Sequence, residues 1–203
     1  MKKLILVIVY QLSILYCFAQ TQSTLIDAIK KHKPDWIDSW ESYPFIEVKI
    51  SPKQIPDWMD LCSDCDTISY YEPFYVYSPN KKMVVDAYSV RFVISYKNGE
   101  KAVWGGDPDT GVFLFDLENR KAYRMLYYGT IPDYDDVLWL SNTAFVILTC
   151  TFSIPSNGYH KPQLIVIDIK DKTCVYHTYK DNKRKFDYIE KKFLKLGFNV
   201  EGL

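Results

Sequence analysis

Val112-Phe113-Leu114-Phe115-Asp116-Leu117 and Leu164-Ile165-Val166-Ile167-Asp168-Ile169 are two versions of one pattern. Each is a short apolar run that ends on an aspartate. A charged turn follows each: Glu118-Asn119-Arg120 in the first, Lys170-Asp171-Lys172 in the second. Apolar runs of this length bounded by turn signals read as buried strands. The aspartate belongs to the turn, because its carboxylate accepts hydrogen bonds from amides two residues further on. This reading makes Asp116 and Asp168 structural rather than catalytic.

Upstream of each run lies a second matched pair. Tyr77-Ser78-Pro79-Asn80-Lys81-Lys82-Met83-Val84-Val85 can be laid on Trp139-Leu140-Ser141-Asn142-Thr143-Ala144-Phe145-Val146-Ile147. Both read as strand, polar turn, apolar strand. The upstream pair is offset by 62 residues and the downstream pair by 52. The first copy therefore carries an insertion, placed at the hairpin around Lys97 to Asp107. Asn98-Gly99 within it is a two-residue hairpin signal. Internal self-similarity marks a fold built from repeated units.

The spacing predicts strands near 74–77, 83–95, 101–104, 111–117, 122–127, 136–140, 144–152, 163–169 and 173–179. Each unit is then a four-stranded antiparallel meander. The pattern resembles the blades of β-propellers whose repeats carry Ser-Pro-Asp-Gly-Lys, with Ser78-Pro79-Asn80 and Ser141-Asn142 at the opening turn. Both copies lack the glycine of that motif. Closed propellers take about four to eight blades, and this chain has room for two or three. The expectation is a mainly β fold with flanking helices: two blade-like antiparallel meanders, an N-terminal and a C-terminal α-helix, and no closed propeller.

Outside the repeat, residues 22–33 carry Leu25, Ile26, Ala28 and Ile29 on a partial apolar face, with Ser23 or Thr24 as N-cap and Pro34 as terminator. Residues 45–50 alternate as a strand. Ser51-Pro52 resembles a helix start. At the other end, Phe186, Ile189, Phe193 and Leu196 are spaced for a helix over 183–196, stopped by Gly197.

The first residues carry a different message. Lys2 and Lys3 precede an apolar run of 13 residues, Leu4 to Tyr16. Cys17 and Ala19 then place small residues at the minus-three and minus-one positions of a signal-peptidase site. The expected signal peptide is 1–19, and the expected domain runs from 20 to 203 with its β repeat core at 70–180. The run is shorter than a bilayer span, so no transmembrane anchor is expected in the mature chain. Cys17 is also placed like a lipobox cysteine, though Tyr16 before it is large. Phe18-Ala19-Gln20 resembles export signals of Bacteroidota, which implies the periplasm or cell surface of a Gram-negative bacterium.

Lysine plus arginine and aspartate plus glutamate each number 25. Without Lys2 and Lys3 the balance is slightly acidic, and no basic patch stands out beyond Lys180 to Lys185. Nucleic acid is therefore not an expected partner. The 17 tyrosines fit a β-rich chain; the sharper alternative is an aromatic surface for sugars or peptides.

Of five cysteines, losing Cys17 leaves Cys62, Cys65, Cys150 and Cys174. Export favours disulfides. Cys62-x-x-Cys65 has redox or zinc spacing, but no second ligand pair and no βαβ setting accompany it. A short-loop Cys62–Cys65 disulfide is expected.

Three loops hold the remaining candidates. Asp107-Pro108-Asp109-Thr110-Gly111 has alternating carboxylates and a glycine, as calcium loops do, yet lacks the twelve-residue frame and closing glutamate. Calcium at Asp107 and Asp109 stands beside the commoner reading, a hairpin turn. Asp133, Asp135 and Asp136 form a second acidic cluster. The loop from Ser153 to His160 is long for a simple hairpin, and Asn157, Tyr159 and His160 are its candidate binding residues; the commoner reading is a tolerated insertion. No His-Glu-x-x-His, Gly-x-Ser-x-Gly or glycine-rich phosphate loop occurs. The expected function is an exported non-catalytic binding or interaction protein whose partner is a protein or carbohydrate of the cell envelope. The alternatives are a hydrolase using a pair among the acidic residues, and a secreted inhibitor or immunity-type protein.

Overall fold

The computed structural model describes residues 24–43, 45–55, 59–62, 74–97, 99–106, 109–129, 133–152 and 159–201. The chain divides into two compact units, one ending at Asp38 and one starting at Ser39. The expected signal peptide lies outside the described residues.

The first unit contributes helix α1 over 24–32 and helix α2, Pro34–Asp38. Leu25 and Ile29 share a face of α1 at four-residue spacing. Pro34 redirects the chain rather than ending its helical course. It occupies the first turn of α2, where its missing N–H costs nothing.

The second unit is mainly β, with mostly antiparallel pairing, and among the described residues no sheet closes into a barrel. Its strands are β1 (Glu47–Gln54), β2 (Met59–Cys62), β3 (Val76–Tyr77), β4 (Met83–Asp86), β5 (Phe92–Lys97), β6 (Glu100–Gly105), β7 (Thr110–Asp116), β8 (Lys121–Tyr128), β9 (Asp133–Trp139), β10 (Ala144–Phe152), β11 (Tyr159–Asp168), β12 (Thr173–Tyr179), β13 (Asn182–Lys183) and β14 (Asn199–Glu201). One helix, α3 (Tyr188–Lys195), lies near the C-terminus.

Two of the sheets have the same construction. One runs β3-β4-β7-β8-β2, the other β9-β10-β11-β12-β1. Met83 faces Asp116 as Ala144 faces Asp168. Asp116 Oδ1 accepts from the amides of Glu118 and Asn119 at 3.1 and 3.0 Å. Asp168 Oδ1 accepts from Lys170 and Asp171 at 2.9 and 3.1 Å. Arg120 and Lys172 close these turns with φ of 53° and 52°. The sequence match slips by one residue in the opening turn. Ser78 donates its amide to Met83 O, five residues on, whereas Leu140 donates to Ala144 O, four residues on. The sheets adjoin along β3 and β9: Trp139 Nε1 donates to Val76 O at 2.8 Å.

The insertion in the first copy is the β5–β6 hairpin. Lys97 pairs with Glu100 across a two-residue connection, and Gly99 has a φ of 83°, which favours glycine. Strand β14 adds to β6 in parallel, making a third, three-stranded sheet.

Three expectations need correction. Ser51-Pro52 does not start a helix: β1 continues to Gln54, with Ser51 opposite Tyr176 and Pro52 opposite Val175. β1 is an edge strand, where proline is tolerated because no outer partner needs its N–H. The predicted strand over 83–95 is interrupted: Asp86 Oδ1 accepts from the amides of Tyr88 and Ser89 at 2.8 and 3.0 Å and turns the chain out of β4. The C-terminal helix starts at Tyr188, not 183, because Asn182–Lys183 pair with β11 and Asp187 caps the helix by accepting from Glu190 N at 3.0 Å.

Gly197 ends α3 as expected. Its φ is 79°. The amide of Gly197 bonds Leu194 O at 3.0 Å and that of Phe198 bonds Phe193 O at 3.1 Å, a Schellman termination. Phe193 sits in an aromatic cluster with Phe74 at 4.9 Å, Phe92 at 5.0 Å and Phe198 at 6.3 Å between ring centroids. These aromatics are core, not surface.

Candidate functional site

The site begins with an irregularity in β9. Leu148 on β10 faces Asp136, and the next residue, Thr149, faces Tyr134. Asp135 is the extra residue of a β-bulge. In a regular strand adjacent side chains point to opposite faces. The bulge removes that alternation and re-aims a side chain, so both carboxylates are buried: Asp135 is 3% exposed and Asp136 1%.

Each carboxylate meets a cation. Asp135 accepts from Arg184 Nη2. The same guanidinium donates to Ser39 Oγ at 2.9 Å, lies 3.5 Å from Cys150 Sγ, and stacks with its carbon 4.0 Å from the Trp40 ring centroid. The backbone bridge Trp40–Arg184 and the bond from Lys185 N to Ser39 O at 2.7 Å hold the two segments together. Burial disfavours the arginine's charge, but Asp135 beside it outweighs this and the Arg184 guanidinium is held above its ordinary value.

Asp136 is the anchor of α3. Its Oδ1 accepts from Lys192 Nζ and from Val137 N, both at 2.8 Å. Its Oδ2 accepts from Tyr188 OH at 2.6 Å. Tyr88 OH donates to Asp135 O at 2.7 Å, and Lys192 Nζ lies 2.5 Å from the Tyr88 oxygen. Burial, then the Asp136 charge, push the Tyr88 phenol well above its ordinary value. It stays neutral and acts as a donor.

A cavity of about 270 Å³ opens beside Arg184, lined by Arg91, Asp135, Cys150, His160, Arg184, Asp187, Tyr188 and Ile189. Cys150 and His160 reach it from β10 and β11. Cys150 pairs with Pro162, and Phe152 with His160, so Cys150 and His160 are diagonal neighbours on one face. Cys150 Sγ and His160 Nδ1 are 4.0 Å apart. Burial, then the Arg184 charge, pull the His160 imidazole below its ordinary 6.5. Asp187 and Tyr188 come from the start of α3. The cavity thus brings together opposite charges, an imidazole and a thiol from five separate stretches of chain.

The other sequence candidates fall as follows. His160 lines the cavity. Tyr159, beside it, is 41% exposed, with Lys183 Nζ 4.8 Å from its ring centroid. Asn157 lies outside the described residues. Asp109 accepts from Tyr127 OH at 2.7 Å; Asp107 lies outside the described residues. Among the described residues, no group of three or more His, Cys, Asp or Glu is placed to hold a metal ion. Cys62 ends β2, but its side chain and all of Cys65 lie outside the described residues, and so does the expected disulfide. Cys150 and Cys174 are both reduced, on strands with β11 between them. Asp135 and Asp136 are both buried at the bulge; the side chain of Asp133 lies outside the described residues. Cys150, Arg184, Arg91 and Asp187 were not singled out by the sequence as site residues. Only the hairpin flanks carried a signal, since Cys150 and His160 bracket the long β10–β11 loop.

Comparison with known proteins adds no relative: no family model, no curated protein and no solved structure matches this chain.

Proposed function

We propose that the chain is an exported binding protein of the cell envelope, whose site is the cavity between β9, β10, β11 and α3. Its ligand is a small zwitterion of amino-acid size. The observation that carries this reading is the pairing of opposite charges in one small cavity. Arg91 and Arg184 line it with Asp135 and Asp187. Asp135 and Arg184 pair with each other; Arg91 and Asp187, which line the same cavity, are the groups assigned to a carboxylate and an ammonium. A volume near 270 Å³ is just under the range of about 300–1,000 Å³ typical of small-molecule sites. The export signal at residues 1–19 supports the compartment, and among the described residues no helix is long and apolar enough to cross a membrane.

Hydrolysis by an Asp pair finds less support. Asp135 and Asp136 are each bound to a cation, at Arg184 and Lys192. Both carboxylates are thus engaged in structural ion pairs, which does not give the separated acid and base roles that glycoside hydrolysis uses.

The test is a thermal-shift titration of the mature protein with L-glutamate and L-alanine. Binding at about a hundred times Kd raises Tm by roughly 5 to 10 °C in a chain of this size. The rise disappears in Arg91→Gln. No shift with either amino acid, or an undiminished shift in the variant, overturns the reading.

A further inference from the structure

Two buried cysteines of the same sheet have opposite surroundings. Cys174 is 1% exposed, its thiol directed to Gln54 O at 3.8 Å, and burial pushes it up. Cys150 is also buried, but its sulfur faces a cavity. Arg184 Nη2 stands 3.5 Å from that sulfur and His160 Nδ1 4.0 Å. A thiol, an imidazole and a guanidinium from three separate strands or segments converge on one accessible space. A neighbouring arginine stabilises the thiolate, and the thiolate is the nucleophile. A structural buried cysteine needs neither group.

We propose that Cys150 is an oxidation site, at which the thiol reacts with hydrogen peroxide entering the cavity and becomes a sulfenic acid. The Cys150 proton passes to His160 Nδ1. The sulfur, its charge held by Arg184, attacks one peroxide oxygen. The S–O bond forms as the O–O bond breaks. Sulfur loses two electrons and peroxide gains them. The departing hydroxide takes the proton back from His160 and leaves as water. The product is the first, reversible step of thiol oxidation. The proposal uses the same cavity as the ligand site but does not depend on the ligand, so either can fail alone.

The test exposes native protein to hydrogen peroxide with dimedone as the sulfenate trap. Labelling is followed peptide by peptide, which separates Cys150 from Cys62 and Cys65. Cys150 is expected to label at least about tenfold faster than Cys174, the buried control. His160→Gln and Arg184→Lys slow Cys150 labelling while Cys174 stays protected. If a variant unfolds, Cys174 labels as well, and the wild-type comparison then decides. Equal rates at Cys150 and Cys174 in the wild type, or an unchanged Cys150 rate in a folded variant, overturn the proposal.

Discussion

Asp136 shows how much one residue can hold in place. It accepts from a lysine, a tyrosine and its neighbour's amide, and it is 1% exposed. Asp136→Asn removes the charge and leaves Lys192 buried beside a neutral amide. Breaking a buried ion pair from one side costs about 3 to 5 kcal/mol. Because Lys192 keeps 18% of its side chain in solvent, the lower end, roughly 3 kcal/mol, is the expected loss in urea unfolding. Asp136→Asn with Lys192→Met recovers part of it, because no uncompensated charge remains. A double variant as unstable as the single one would mean that the tyrosine bond, not the ion pair, carries the anchor. The sequence displays Asp135-Asp136 as an acidic cluster. It does not display the bulge that turns both inward, because a bulge depends on the register of the partner strand.

At the scale of elements, the termination of α3 can be isolated from its packing. A Cβ at Gly197 would meet nothing within 4 Å, so substitution there tests backbone conformation alone. Gly197→Ala places an L-residue in the left-handed region, at a cost of about 1 to 2 kcal/mol. The expected drop in Tm is roughly 2 to 8 °C. Gly197→Asn should lose less, since asparagine tolerates that region. Equal losses would point to a contact rather than to φ. This stop was readable from sequence, as a local signal should be. The start of α3 was not. Phe186 fits the helical spacing, yet residues 182–183 are drawn into a pairing with β11. A distant partner thus overrode the local pattern, as it did at Ser51-Pro52.

At the scale of the whole molecule, the five-stranded and six-stranded sheets are joined by side chains as well as by edges. Tyr128 on β8 and Tyr176 on β12 share a hydrogen bond of 2.7 Å. Burial, then the bond to Tyr128, raise the Tyr176 phenol above its ordinary 10. The unfolded chain therefore gives up this proton more readily than the folded one. The stabilisation is complete below the unfolded value of about 10 and is lost as pH climbs above it. Tyr176→Phe is expected to cost about 1 to 2 kcal/mol at neutral pH and to make stability fall less steeply in alkali. Tyr128→Phe should cost little more in that background, because the pair is already broken. Additive losses in chemical denaturation would show that the hydroxyls act separately.

Local sequence sufficed for the apolar strands, the aspartate-led turns at Asp116 and Asp168, the β5–β6 hairpin and the Gly197 stop. Each depends on neighbours within a few residues, where side-chain pattern and backbone preference act directly. The site depends on long-range contacts. Asp135, the hairpin that carries Cys150 and His160, and Arg184 come from separate parts of the chain, and no local rule relates the three. They meet because a bulge in β9, the register of β10 on β11 and the short bridge from Arg184 to Trp40 aim them at one cavity. Register and bulges are settled by what the opposite strand presents, which is why the fold could be read from the repeat and the cavity could not.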